Sequence, residues 1–229
     1  MKALVPASDT RPADWVVDGL RGFGESVESI VPAGFPSYLR LFHPAARRRG
    51  DSTRPVRWAE VAAANHKRAH VGMQFAALIG SDDPYNFVPQ PGVFEDPPQV
   101  GSLPRKLIDL LLPVLTRHTG TREDCWFAVW EGWGDIRNDV ASAPKFDVQQ
   151  RSYHLLAGPV GAARESVNVH VEQSASLWWP DDHAWCVGTE IDFDTTYIGC
   201  NDACSREVLR LPSLEAFVVD RAARGYEAW

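Results

Sequence analysis

The stretch Leu177-Trp178-Trp179-Pro180-Asp181-Asp182-His183-Ala184-Trp185-Cys186-Val187-Gly188-Thr189-Glu190-Ile191-Asp192-Phe193-Asp194 carries three of the nine tryptophans and five acids. From Trp185 onward, Trp185, Val187, Thr189, Ile191 and Phe193 alternate with Cys186, Gly188, Glu190, Asp192 and Asp194. Side chains on a strand point to opposite faces in turn, so this pattern predicts a strand over 185–194 with one core face and one acidic face. A slip of one residue would bury all three acids, which fixes the register. Glu190, Asp192 and Asp194 would follow one another at about 6.6 Å. Each neighbouring pair would then repel by about 0.6 kcal/mol in water and about 2.5 kcal/mol at an effective dielectric near 20. Burial of that face therefore requires cations, either arginine from a neighbouring strand, such as Arg151, or a metal ion held with His183.

Working outward, Cys125 to Trp130 is apolar on both faces and reads as a central strand covered on both sides. Before it, Leu107, Leu110, Leu111, Val114, Leu115 and His118 share one helical face, with Ser102 as cap, Pro113 inside and Gly120 beyond the end. Tyr38 to His43 and Arg151 to Ala157 read as further strands, and Thr196 to Ile198 as a continuation or return strand. Asp14 to Leu20, Arg57 to Arg68, a turn over Val160 to Glu165 and a last helix capped by Asn201 or Asp202 complete the elements. Strands and helices alternate without regular βαβ spacing. The fold class expected is α+β, a single domain with a mixed or antiparallel sheet and packed helices. Residues 1–12 read as a loose N-terminal arm, 13–229 as the domain, and the proline-rich segment 80–102 as a loop within it.

Residues 1–100 hold 11 Lys and Arg against 11 Asp and Glu, whereas 101–229 hold 12 against 19, so the net charge of -7 belongs to the second half. An acidic surface repels phosphate backbones, which argues against nucleic acid as a partner of that half and allows a basic protein or a metal ion. The run Arg47-Arg48-Arg49 with Arg54 and Arg57 reads as a solvated loop. The N-terminus has no signal-peptide pattern and no apolar run is long enough to span a bilayer, so a cytoplasmic protein with reduced cysteines and no membrane contact is expected.

Trp15-Val16-Val17-Asp18-Gly19-Leu20-Arg21-Gly22-Phe23-Gly24, Val31-Pro32-Ala33-Gly34-Phe35, Trp130-Glu131-Gly132-Trp133-Gly134, and Leu177-Trp178-Trp179-Pro180 leading into Ala184-Trp185-Cys186-Val187 stand together in this chain. In these phrases the chain resembles a family of uncharacterised actinobacterial proteins, over most of its length. The resemblance implies one intact protein and brings no activity, cofactor or catalytic residue with it.

No nucleophile elbow, phosphate loop, dinucleotide fingerprint or His-Glu-x-x-His helix occurs, and Cys200 and Cys204 have no second ligand pair for zinc. No cofactor and no structural metal are expected. Two functions remain. The first is a non-catalytic binding or regulatory protein, of which neutralising a basic toxin is one form, with Trp178, Trp179, Asp181 and Asp182 as binding residues. The second is a metal-assisted hydrolase or transferase using His183, Glu190, Asp192 and Asp194, with Glu131 at the end of its strand as a general base. A pocket where polar groups converge favours the enzyme, and a flat acidic or aromatic face favours the binding protein.

Overall fold

The computed structural model describes residues 4–24, 26–50, 52–83 and 87–224. Numbered along the chain, its strands are β1 (Val5–Pro6), β2 (Ser37–Phe42), β3 (Ala45–Arg49), β4 (Ser52–Val56), β5 (Cys125–Trp130), β6 (Lys145–Val148), β7 (Arg151–Gly158), β8 (Leu177–Pro180), β9 (Trp185–Gly188), β10 (Thr195–Cys200) and β11 (Ala216–Val218). Its α-helices are α1 (Asp14–Gly19), α2 (Trp58–Ala64), α3 (Phe75–Ile79), α4 (Arg105–Arg117), α5 (Asn138–Ala141) and α6 (Asp202–Leu209). Among the described residues, nine strands form one sheet in the order β1-β7-β5-β8-β9-β10-β2-β11, with β6 also on the outer edge of β7. Every pairing is antiparallel, and the fold is α+β.

The doubly apolar β5 explains the layering. Phe127 and Val129 enter one core with Leu111 and Leu115 of α4 and Val208 of α6, while Ala128 enters the other with Val16 of α1, Val27 and Val31. Helices thus cover both faces of the central strands, as residues apolar on both sides demand. A third cluster, Phe42, Trp58, Phe75 and Phe94, packs α2 and α3 beside the end of β2. The buried face of α4 runs through Leu107, Ile108, Leu111, Leu112, Val114 and Leu115, and Pro113 sits on its exposed side. The cap differs from expectation: the helix starts after Pro104, and Ser102 instead exchanges hydrogen bonds with Ser174. Asn201 caps α6 by accepting the Cys204 N–H at 2.9 Å.

Four sequence expectations are corrected. The strand from Trp185 ends at Gly188, because Glu190 accepts the Asp192 N–H at 2.6 Å and the Phe193 N–H bonds Glu190 O at 3.1 Å, closing a turn. Local side-chain bonds of this kind compete with a ladder, and the chain returns as β10, which pairs antiparallel to β9. The N-terminal segment is not loose where it is described: Leu4 is buried and Val5–Pro6 pairs with β7. The arginine run is not a loop but the first strand of the β3–β4 hairpin, a sheet of its own. The helix expected to reach Arg68 stops at Ala64, and His66 takes a left-handed conformation. All four cysteines are free and buried.

Candidate functional site

The turn that replaces the expected acidic strand forms one wall of a cleft of about 230 Å³. Leu20 and Phe23 after α1, Ile30, the β6–β7 hairpin and Leu177 of β8 supply the rest. The hairpin turns through Gln149 and Gln150, both left-handed at φ 50° and 66°, the geometry a two-residue antiparallel turn requires. That turn delivers Arg151 and Tyr153 into the cleft lining.

Arg151 organises the site. Its guanidinium is ion-paired with Glu190, reaches Asp192 at 3.7 Å, and lies against the rings of Phe23 at 5.4 Å and Trp130 at 5.8 Å. A planar cation between aromatic faces and carboxylates is held by cation–π and charge-assisted bonds together. Glu190 and Arg151 are largely covered, with side chains 17% and 16% exposed, while the Asp192 side chain is 55% exposed at the rim. Burial pushes the Glu190 carboxyl up from its usual range, against the Asp192 N–H bond and Arg151, which pull it down. Burial likewise raises the Tyr153 phenol. Gln149 Nε2 is buried without a hydrogen-bond partner, and such a group is costly unless something accepts from it. Phe23 stands 47% exposed at the mouth.

Beneath the cleft, Thr189 begins a chain of short hydrogen bonds. Its hydroxyl lies 2.7 Å from Thr196 Oγ1, which lies 2.8 Å from His43 Nε2, and His43 Nδ1 lies 2.6 Å from the Gln99 carbonyl. A carbonyl only accepts, so Nδ1 donates, Nε2 accepts from Thr196, and Thr196 in turn accepts from Thr189. Burial lowers the His43 pKa to about 4, against the raising effect of the Gln99 bond, so the imidazole is neutral near pH 7.

The sequence candidates divide sharply. Glu190 and Asp192 share the cleft. Asp194 turns into a covered environment near Arg40, where burial raises its pKa to about 6 despite that cation. His183 does not line the cleft; it sits in a left-handed turn and stacks on Trp15 with ring centroids 4.2 Å apart. Glu131 is at the surface, where Nζ of Lys145 donates to it at 2.8 Å and lowers its pKa. The acids and His183 therefore do not converge, and among the described residues no three His, Cys, Asp or Glu side chains are grouped to hold a metal ion.

The binding residues expected at Trp178 and Trp179 are corrected as well: both are buried, at 2% and 0% exposure, one in each core. Asp181 accepts from Trp126 Nε1 at 3.0 Å. Asp182 accepts from Gly120 N and Thr119 Oγ1, fastening the loop before β5. The large aromatic surface of two adjacent tryptophans is worth more in the cores than in water, and the two acids secure the turn beside them. Phe23, Gln149 and Tyr153 carried no signal in sequence, because each is ordinary until the fold brings it beside Arg151.

No family model, curated protein or solved structure matches this chain. Among the described residues no helix is long and apolar enough to cross a membrane.

Proposed function

We infer that the protein is a non-catalytic binding protein whose cleft receives a cationic side chain from a basic protein partner. The observation that carries this reading is the charge of the cleft: among the described residues that line it, two carboxylates, Glu190 and Asp192, face a single arginine beneath the exposed ring of Phe23. The rim carboxylate of Asp192 is left to attract a further cation, and the Phe23 ring offers it a face. Hydrophobic walls at Leu20 and Ile30 suit the aliphatic stem of lysine or arginine, which buries along apolar surface while its head stays polar. Neutralising a basic toxin is one form that such binding takes. The metal-assisted alternative finds no support in the positions of His183 and Glu131, which lie away from Glu190 and Asp192.

The test is calorimetric titration with a short arginine-containing peptide, followed also by tryptophan fluorescence, since Trp130 lies against Arg151. Saturable binding that weakens with salt and roughly tenfold in Asp192→Asn is expected. Equal binding of the arginine peptide and its citrulline counterpart, or no binding at all, overturns the reading.

A further inference from the structure

We propose that the β3–β4 ribbon of one copy docks its arginines at the Glu190–Asp192 cleft of a second copy, and that the second copy does the same in return. This rests on the cationic preference of the cleft argued above. The ribbon leaves the body of the molecule: Arg47 to Gly50 and Ser52 to Pro55 are exposed, whereas its base at Ala45 and Val56 is buried. Its arginines are not equivalent. Arg48 is tied to Asp96 and Arg54 to Glu60, but the guanidinium groups of Arg47 and Arg49 have no ion-pair or hydrogen-bond partner among the described residues. These two lie on one face of β3, about 6.6 Å apart, with Arg54 directly opposite Arg47. Like charges facing each other across a ladder destabilise it, so an anionic surface against this face relieves the ribbon.

The topology supplies such a surface in the right place. Phe42, the last residue of β2, pairs with Thr195, the first of β10. The ribbon follows β2 and the acidic turn precedes β10, so both leave the sheet at the same end. They cannot meet within one molecule, because the segment Asp96–Gly101 lies between them: Ala46 N–H donates to Asp96 O and Gly101 N–H to Phe193 O, each at 2.8 Å. A two-fold axis at that end places each ribbon against the other copy's cleft and closes the assembly as a dimer.

Sedimentation velocity over micromolar to sub-millimolar protein, at low and high salt, tests this. A dimer is expected whose association constant falls roughly tenfold at high salt, in Arg47→Ser/Arg49→Ser, and in Asp192→Asn, where the altered carboxylate is exposed and the fold is not at stake. Mixing the two variants should restore a pair stronger than either forms alone, since one ribbon and one cleft remain intact. A wild-type chain that stays monomeric, ribbon variants that dimerise unchanged, or a monomer whose ribbon arginines bind a DNA duplex overturns the proposal. The arginine peptide separates this from the cleft reading. If Arg47→Ser/Arg49→Ser binds it as wild type does while wild type remains monomeric, self-association fails and the cleft stands; if neither binding nor dimer occurs, both fall.

Discussion

Asp194 shows how one residue reports on its surroundings. Its carboxyl is enclosed near Arg40, and burial lifts its pKa from 3.8 to about 6. Between those values the native state keeps a proton that the unfolded chain has released. Stability from this group is therefore greatest below the window and falls as pH rises through it. Urea unfolding of wild type and Asp194→Asn from pH 4 to 7 should show the variant lacking that slope; an unchanged slope assigns it to Glu190 and Glu215, which burial also raises. Asp182 behaves oppositely. Burial pushes it up, but the hydrogen bonds from Gly120, Thr119, Ala184 and Thr121 prevail and hold its pKa below the usual range. Its contribution is present at neutral pH and lost as pH falls through the folded value. Asp182→Ala should cost about 1–3 kcal/mol at pH 7, measured as a shift in the urea midpoint, because it leaves several donors without an acceptor. Residue types alone could flag both acids as interesting. They could not say that one secures a loop and the other lies under cover, since that depends on Gly120 and Arg40, which are distant in sequence.

At the scale of elements, the apolar pattern is informative wherever each face of an element meets a core. β5 is covered on both sides as its doubly apolar pattern requires, and α4 buries Leu107, Leu111, Val114 and Leu115 on the expected face. The pattern failed at 189–194, where alternation continued past Gly188 although the backbone had turned. A polar-apolar alternation cannot distinguish a strand from a turn whose glutamate bonds a nearby main-chain N–H. It also failed at the tryptophans, because adjacent large residues on a central strand point to opposite cores and both are buried. Trp178→Ala should accordingly cost about 3–5 kcal/mol of stability in chemical denaturation and leave cleft binding of the arginine peptide unchanged in the folded fraction. The β6–β7 hairpin makes a prediction of the other sign. Gln150 holds φ 66° without a glycine, on an exposed turn, and left-handed backbone is costly for a side chain with a Cβ. Gln150→Gly should stabilise by about 0.5–1 kcal/mol, the strain relieved less the entropy glycine brings. A loss of stability there would mean that the side chain, not the backbone, governs the turn.

Across the whole molecule, charge and topology run in opposite directions. The sequence divides into a neutral first hundred residues and an acidic remainder, with a proline-rich segment at their boundary. The sheet ignores that division. β2 from the first part lies between β10 and β11 from the second, and β1 pairs with β7. Each half alone would expose the edges that the other now covers: β2 would lose both neighbours, and β10 would lose one side of its ladder. Unpaired edges and uncovered apolar faces are costly in water, so although the Phe42–Trp58–Phe75–Phe94 cluster lies within the first part, neither half is expected to keep its share of the sheet on separation. Limited proteolysis within 80–102 should therefore yield a nicked species whose two pieces stay associated through gel filtration under native conditions. On heating, that species should unfold in a single transition with loss of the complex, as an uncut cooperative domain does. Two transitions, or fragments that separate and each retain a near-ultraviolet circular dichroism signal, would mean that the boundary seen in charge is a boundary in folding as well.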